Sequence, residues 1–231
     1  MLSRARRLLG LSGLVLLLAG PALAYILPAD FLLRKMADKR RRIGISRLTV
    51  TMECQRGQSA RAEEKLYLKV PGRIRWEGPG DEVIVCQGVR CRHRGGVQQA
   101  VPAWIRHLNF FFVGPARQSA YQKMLKTLGV DTRRDTLSRF GGRVAVVLGA
   151  KSWERDRPQF WLDKDLFLPL RLFLKQEGAL IDIAWKQWGS RLSGDWFPAS
   201  LEVRRDGQPL LSCQVTGVDS RRAVPDKLFA P

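Results

Sequence analysis

From residue 47 to the end of the chain, apolar and polar residues repeatedly alternate with a period of two. In SRLTVTMECQ, Leu48, Val50, Met52 and Cys54 alternate with Thr49, Thr51, Glu53 and Gln55. Successive side chains of an extended strand point to opposite faces, so this segment is a strand with one buried and one solvated side. In KLYLKVPGRIRWEG the even-numbered Leu66, Leu68, Val70, Ile74 and Trp76 share a face. Pro71-Gly72 interrupts that face in a way that suits a bulge or a sheet edge. Val83-Ile84-Val85 then leads through Gln87-Gly88 into a further short strand. Strands resume over 144–148, 160–162, 170–174, 180–185, 200–204 and 211–218, with turn signals at Gly78-Pro79-Gly80, Gly141-Gly142 and Asp206-Gly207.

Two segments have a helical period instead. In residues 29–42, Phe31, Leu32, Lys35 and Met36 carry the side that should face the core, and basic residues gather in the last turn, where the helix dipole favours them. Residues 116–128 have helical spacing through Ala120, Met124 and Leu128, while 101–114, VPAWIRHLNFFFVG, is dense in aromatics and has no clean period. With no internal repeat or linker, the pattern is one α+β domain: an antiparallel sheet of about ten strands with two or three helices.

Ahead of that domain, residues 1–24 have the form of a secretory signal peptide. Arg4, Arg6 and Arg7 precede the apolar run Leu8 to Ala19, and Ala22-Leu23-Ala24 gives the small-x-small cleavage pattern. The mature domain is then 25–231, located in the periplasm. The chain holds 40 Lys and Arg against 21 Asp and Glu, a formal charge of +19. The leader accounts for three of those arginines and no acid, so the domain itself stays strongly basic. A basic exported protein meets anionic lipid or envelope polymers, and no finger, recognition helix or aromatic RNA-binding motif supports a nucleic-acid partner.

Candidate chemistry is sparse. The sequence has no GxSxG, Walker loop, HExxH or CxxC, so neither a metal site, a cofactor nor a catalytic residue is expected, and the chain is read as a non-enzyme. His93 and His107 stand apart in a basic hairpin and the aromatic stretch. Asp163 and Asp165 flank Lys164 at a strand end, where carboxylates serve turns. Cys86 and Cys91 flank Gln87-Gly88-Val89-Arg90, so a four-residue hairpin loop sets them opposite each other as a disulfide in an oxidising compartment. Cys54 and Cys213, on the apolar faces of their strands, are either buried thiols or a core bridge.

Three segments in order resemble the LolA/LolB lipoprotein-carrier superfamily. LYLKVPGRIRWE followed by DEVIVCQGVRCR is similar to its Lys-x-Pro-Gly strand pair, and PQFWLDKDLFLPLRL to its Trp-x-Asp … Leu-Pro-x-Arg segment. The stretch from Asp195 to Pro231 resembles its closing strands, down to Pro225-Asp226 and Phe229. The resemblance implies an incomplete, half-open antiparallel β-barrel whose apolar concave face is covered by helices and holds acyl chains. It implies a lipidated protein or lipid as cargo, an inner-membrane donor and an outer-membrane acceptor, with the carrier itself a monomer. A lipid-sensing module that regulates an envelope partner is the alternative, and an enzyme acting on envelope lipids a distant third. Two departures stand out. Val70 occupies the position before Pro71 where the best-known carriers have the Arg that ties the lid closed, although Lys69 is kept; the carrier proper also has a further C-terminal segment beyond the position of Pro231.

Within that frame the expected cavity residues are Leu48, Val50, Met52, Leu66, Leu68, Ile74, Trp76, Phe160, Leu162, Ile183 and Trp185. The 29–42 helix and the 101–128 region are the expected lid. Lys39-Arg40-Arg41-Arg42, Arg90-Arg92-Arg94 and Arg133-Arg134 are the basic clusters for docking on a partner or an anionic membrane surface, with a merely solvated surface as their plain alternative.

Overall fold

The computed structural model describes residues 27–88, 90–95 and 103–230. Residues 1–24, the stretch expected to be a signal peptide, and Val89 lie outside them. Helix α1 (Ala29–Ile43) leads into a five-strand meander: β1 (Arg47–Arg56), β2 (Ala62–Lys69), β3 (Arg73–Glu77), β4 (Val83–Gln87) and β5 (Arg90–Arg94). Helix α2 (Ala103–Leu108) continues into a π-helical turn (Asn109–Val113), and α3 (Gln118–Thr127) follows. A second meander comprises β6 (Asp135–Phe140), β7 (Arg143–Leu148), β8 (Gln159–Asp163), β9 (Pro169–Gln176), β10 (Ala179–Lys186), β11 (Ser200–Arg205) and β12 (Gln208–Asp219). A 3₁₀ turn (Asp226–Phe229) ends the described chain.

All twelve strands form one antiparallel sheet in the order β5-β4-β3-β2-β1-β12-β11-β10-β9-β8-β7-β6. The first and last strands of that order do not pair, so the sheet is an open half-barrel. In the sheet the two meanders are joined by the β1–β12 pairing, where Cys54 lies opposite Cys213 and is bonded to it. A second disulfide joins Cys86 to Cys91 across the β4–β5 hairpin. Among the described residues, no helix is long and apolar enough to cross a membrane.

Several local readings need correction. The Val70–Gly72 stretch is neither bulge nor edge but the turn of the β2–β3 hairpin, with Gly72 at φ 64°. Leu68 pairs with Ile74 and Leu66 with Trp76, which is why one apolar face runs through the turn. Val70, in the turn itself, leaves that face and is 40 % exposed. Helix α1 buries Leu32, Leu33, Met36 and Ala37 rather than Phe31 and Lys35; the Phe31 ring lies outside the core under Arg34 and Lys35. Helix α3 buries Tyr121 and Leu125 rather than Ala120 and Met124: it packs against α1, and Tyr121 lies against Phe111 of the π-helical turn. Strand β6, an edge strand of mixed exposure, brings the strand number above the expected ten.

Candidate functional site

The concave face is built from alternate residues of the strands. Val50 and Met52 on β1, Leu66 on β2, Ile74 and Trp76 on β3, Phe160 and Leu162 on β8, and Ile183 and Trp185 on β10 are fully buried there, and Leu48 and Leu68 nearly so. All eleven belong to one hydrophobic cluster. What covers them is the lid of α1, α2, the π-helical turn and α3.

The lid fills the half-barrel with aromatic rings. Trp104 meets Trp76 edge-on at 5.0 Å. Phe111 stacks on Phe160 at 5.0 Å and meets Trp185 at 5.5 Å. Phe112 stacks on Trp188 at 5.8 Å and lies 5.1 Å from Phe197. Nearly every side chain from Trp104 to Val113 that the structure describes is buried, Arg106 excepted. Two buried polar atoms under this cover have no hydrogen-bond partner: Nδ1 of His107 and the indole nitrogen of Trp185. Burial, and secondarily the neighbouring Arg106, pushes the His107 pKa down to about 4, so the ring is neutral at pH 7.

Polar contacts hold the lid at one rim. The Gly72 N–H donates to the Val113 carbonyl at 2.7 Å, so the Pro71-Gly72 turn grips the end of the π-helical turn. Arg40 donates to the carbonyls of Phe112 and, at 3.2 Å, Trp196, with its guanidinium 5.4 Å from the Phe112 ring centre. Desolvation draws the Arg40 pKa below the usual guanidinium value, against the opposing pull of Tyr121. Arg41 donates to the Ala116 carbonyl at 2.9 Å, and Lys39 pairs with Asp195 at 2.5 Å. The basic run read as a docking surface therefore fastens the lid through its first three members, and only Arg42 is exposed without such a bond. The composition of the run gave no hint of this, because a charge cluster at a helix end reads as solvated.

Beside these contacts a cleft of about 320 Å³ opens between Arg40, Ile45, Val70, Pro71, Phe112 and Pro115. Inward from it, between Leu48, Leu68 and Phe112, the remaining void is about 10 Å³, room for one water at most. Val70 and Trp196, at 40 % and 38 % exposed, are apolar side chains on the lip. The concave face is thus largely apolar and occupied by its own lid, and this cleft opens beside it.

The remaining candidates lie elsewhere. His93 sits 3.3 Å from Glu82, and Asp163 accepts the backbone N–H groups of Asp165 and Leu166, closing a turn. Arg133 pairs with Asp131 and Arg134 with Glu154. Arg90, Arg92 and Arg94 are exposed on β5, on the opposite side of the sheet from the lid. Among the described residues no cluster of His, Cys, Asp and Glu is arranged to hold a metal.

No protein-family model matches the chain, and no curated protein does. Among solved structures it is similar to a DUF1329 family protein from Desulfovibrio piger, 13 % identical, with a TM-score of 0.50 over 88 % of this chain and 97 % of that one. It is also similar to a LolA superfamily protein from Nitrosomonas europaea, 13 % identical, with a TM-score of 0.49 over 89 % of this chain and 99 % of that one. The likeness to the Desulfovibrio protein is one of fold: the open, helix-covered half-barrel is an architecture the two share.

Proposed function

We propose that this protein is a periplasmic carrier that shields the acyl chains of a lipoprotein or lipid and delivers them towards the outer membrane. The observation that carries the reading is a concave face that is apolar but for Glu64, covered by a largely apolar lid that is fastened at one rim. Transferring acyl surface out of water is favourable by about 25 cal/mol per Å², so a carrier needs an apolar enclosure and no catalytic group. The lid's aromatic rings serve as the resident stand-in for cargo. An acyl chain entering at the Val70–Trp196 lip replaces Phe112 and then Phe111 against Trp188, Trp185 and Phe160. Arg40, fixed to two carbonyls, supplies the fastening that Val70 cannot. The ordered LolA/LolB-like motifs and two disulfides, which suit an oxidising exported compartment, support the same reading.

The test is direct. Mass spectrometry of lipids released from natively purified protein should find acylated species, and a fluorescent fatty-acid probe should bind and be displaced by them. Arg40→Met, which frees the lid but keeps the stem, should raise apparent probe affinity about tenfold, because an open state held about 1.4 kcal/mol too high becomes accessible. Protein that purifies free of lipid and never binds the probe, in wild type and variant alike, refutes the carrier.

A further inference from the structure

On the convex side of the sheet lies a second pocket, of about 400 Å³, between β5 and the C-terminal 3₁₀ turn. Its walls are Arg90, Arg92 and Arg94, and its floor is Val85, Gln87 and Phe229. The register explains the grouping. Val85 lies opposite Arg92, Gln87 opposite Arg90 and Val83 opposite Arg94, so these side chains share one face. Cys86, Cys91, Ile84 and His93 take the other. Phe229 and Val85, both buried, belong to a small cluster separate from the concave core, and Gln87 donates to the Phe229 carbonyl at 2.9 Å.

The three arginines differ from their basic neighbours on the same face. Lys69 and Arg73 are both paired with Asp226, and Arg75 with Glu77. Arg90, Arg92 and Arg94 have no ion-pair partner among the described residues, and the described pocket lining contains no carboxylate. Alternate strand residues stand about 6.7 Å apart, so three guanidinium forks line one compact space. Guanidinium matches carboxylate and phosphate in two-bond geometry, but one carboxylate saturates a single fork while a phosphate ester presents several oxygens to several forks. The apolar floor suits the organic part of such an ester, and the volume falls within the usual range of about 300–1,000 Å³ for small-molecule sites.

We propose that this pocket binds a phosphate ester, either a phospholipid headgroup or a soluble ester. It lies across the sheet from the acyl site, so the two readings stand or fall separately. Glycerol 3-phosphate should be titrated calorimetrically into the full chain, alongside sedimentation with phosphatidylcholine vesicles containing or lacking phosphatidylglycerol. Saturable binding is expected, weakened about tenfold or more in R90Q/R92Q/R94Q, as lost charge-assisted bonds require. R139Q/R191Q/R205Q removes the same charge from exposed positions elsewhere and should change affinity less than about twofold. Vesicle binding that glycerol 3-phosphate competes away identifies a lipid headgroup as the ligand; soluble binding without vesicle binding identifies a free ester. Near-UV circular dichroism and an unchanged urea midpoint would establish that the first variant is folded. The proposal is overturned by absent glycerol 3-phosphate binding, by equal losses in the two triple variants, or by a polyglutamate peptide that binds the pocket more tightly than the ester.

Discussion

Glu64 is 1 % exposed on a face that is otherwise apolar, yet its carboxylate is not alone. Arg56 donates to it from Nε at 2.9 Å and Nη2 at 3.0 Å, and the Trp76 indole N–H donates to it as well. Arg56 also reaches Glu82 at 2.7 Å. Desolvation works to lower the Arg56 pKa, but the bonds to Glu64 and Glu82 outweigh it and raise the value. A buried pair of this kind adds little net stability over an apolar core, but removing Glu64 leaves the buried Trp76 indole donor without its acceptor and Arg56 with Glu82 alone. Glu64→Ala should therefore cost about 2–3 kcal/mol in urea unfolding. Removing the exposed Lys65–Glu63 pair through Lys65→Ala should cost less than about 1 kcal/mol. Comparable losses at the two sites would refute the buried network. The sequence hid this residue, since Glu64 interrupts the apolar alternation before Leu66 and its partner Arg56 lies on another strand.

The lid contains an acid-sensitive group. His107 of α2 is buried, neutral and titrates at about 4, against about 6.5 for a free imidazole. Between those values the unfolded or lid-open chain binds a proton that the closed form refuses, so closed-state stability is full above pH 6.5 and is lost as pH falls to 4. The loss should approach about 3 kcal/mol. The carboxylates with lowered pKa, such as Asp219 and Asp226, lose their contribution at still lower pH. Urea midpoints measured from pH 7.5 to 4 should fall in the wild type and fall less in His107→Leu; equal slopes would remove His107 from the account. The same element marks the limit of sequence reading. Strand β1 was legible because one face is core and the other is solvated. The 103–113 segment was not, because an α-helical turn gives way to a π-helical one and the segment is buried almost all round, which erases any period. Strand β8 is buried on both faces, since Trp161 on the convex side packs near Phe140, Phe173 and the Arg171 guanidinium, which Asp182 holds at 2.8 and 2.6 Å. Its concave residues Phe160 and Leu162 were therefore legible only through the motif around them.

At the scale of the whole molecule, the half-barrel is two meanders held edge to edge by β1 and β12. That pairing joins segments far apart in the chain, and its register shifts between Thr51 and Met52. The Cys54–Cys213 bridge crosses the seam with a sequence separation of 159, whereas Cys86–Cys91 closes a separation of only 5. A cross-link stabilises by restricting the unfolded chain, and the restriction grows with the logarithm of the loop. The two bridges should therefore contribute about 5 and about 2 kcal/mol respectively. Both cysteines of the seam are buried, so replacing them by alanine adds a small packing loss in the same direction. Guanidinium unfolding of C54A/C213A should show a midpoint well below that of C86A/C91A, and the first variant should give up probe binding at the lower denaturant concentration, because opening the seam divides the concave face. A hairpin variant as unstable as the seam variant would mean that the β4–β5 edge, not the junction of the meanders, limits the stability of the half-barrel.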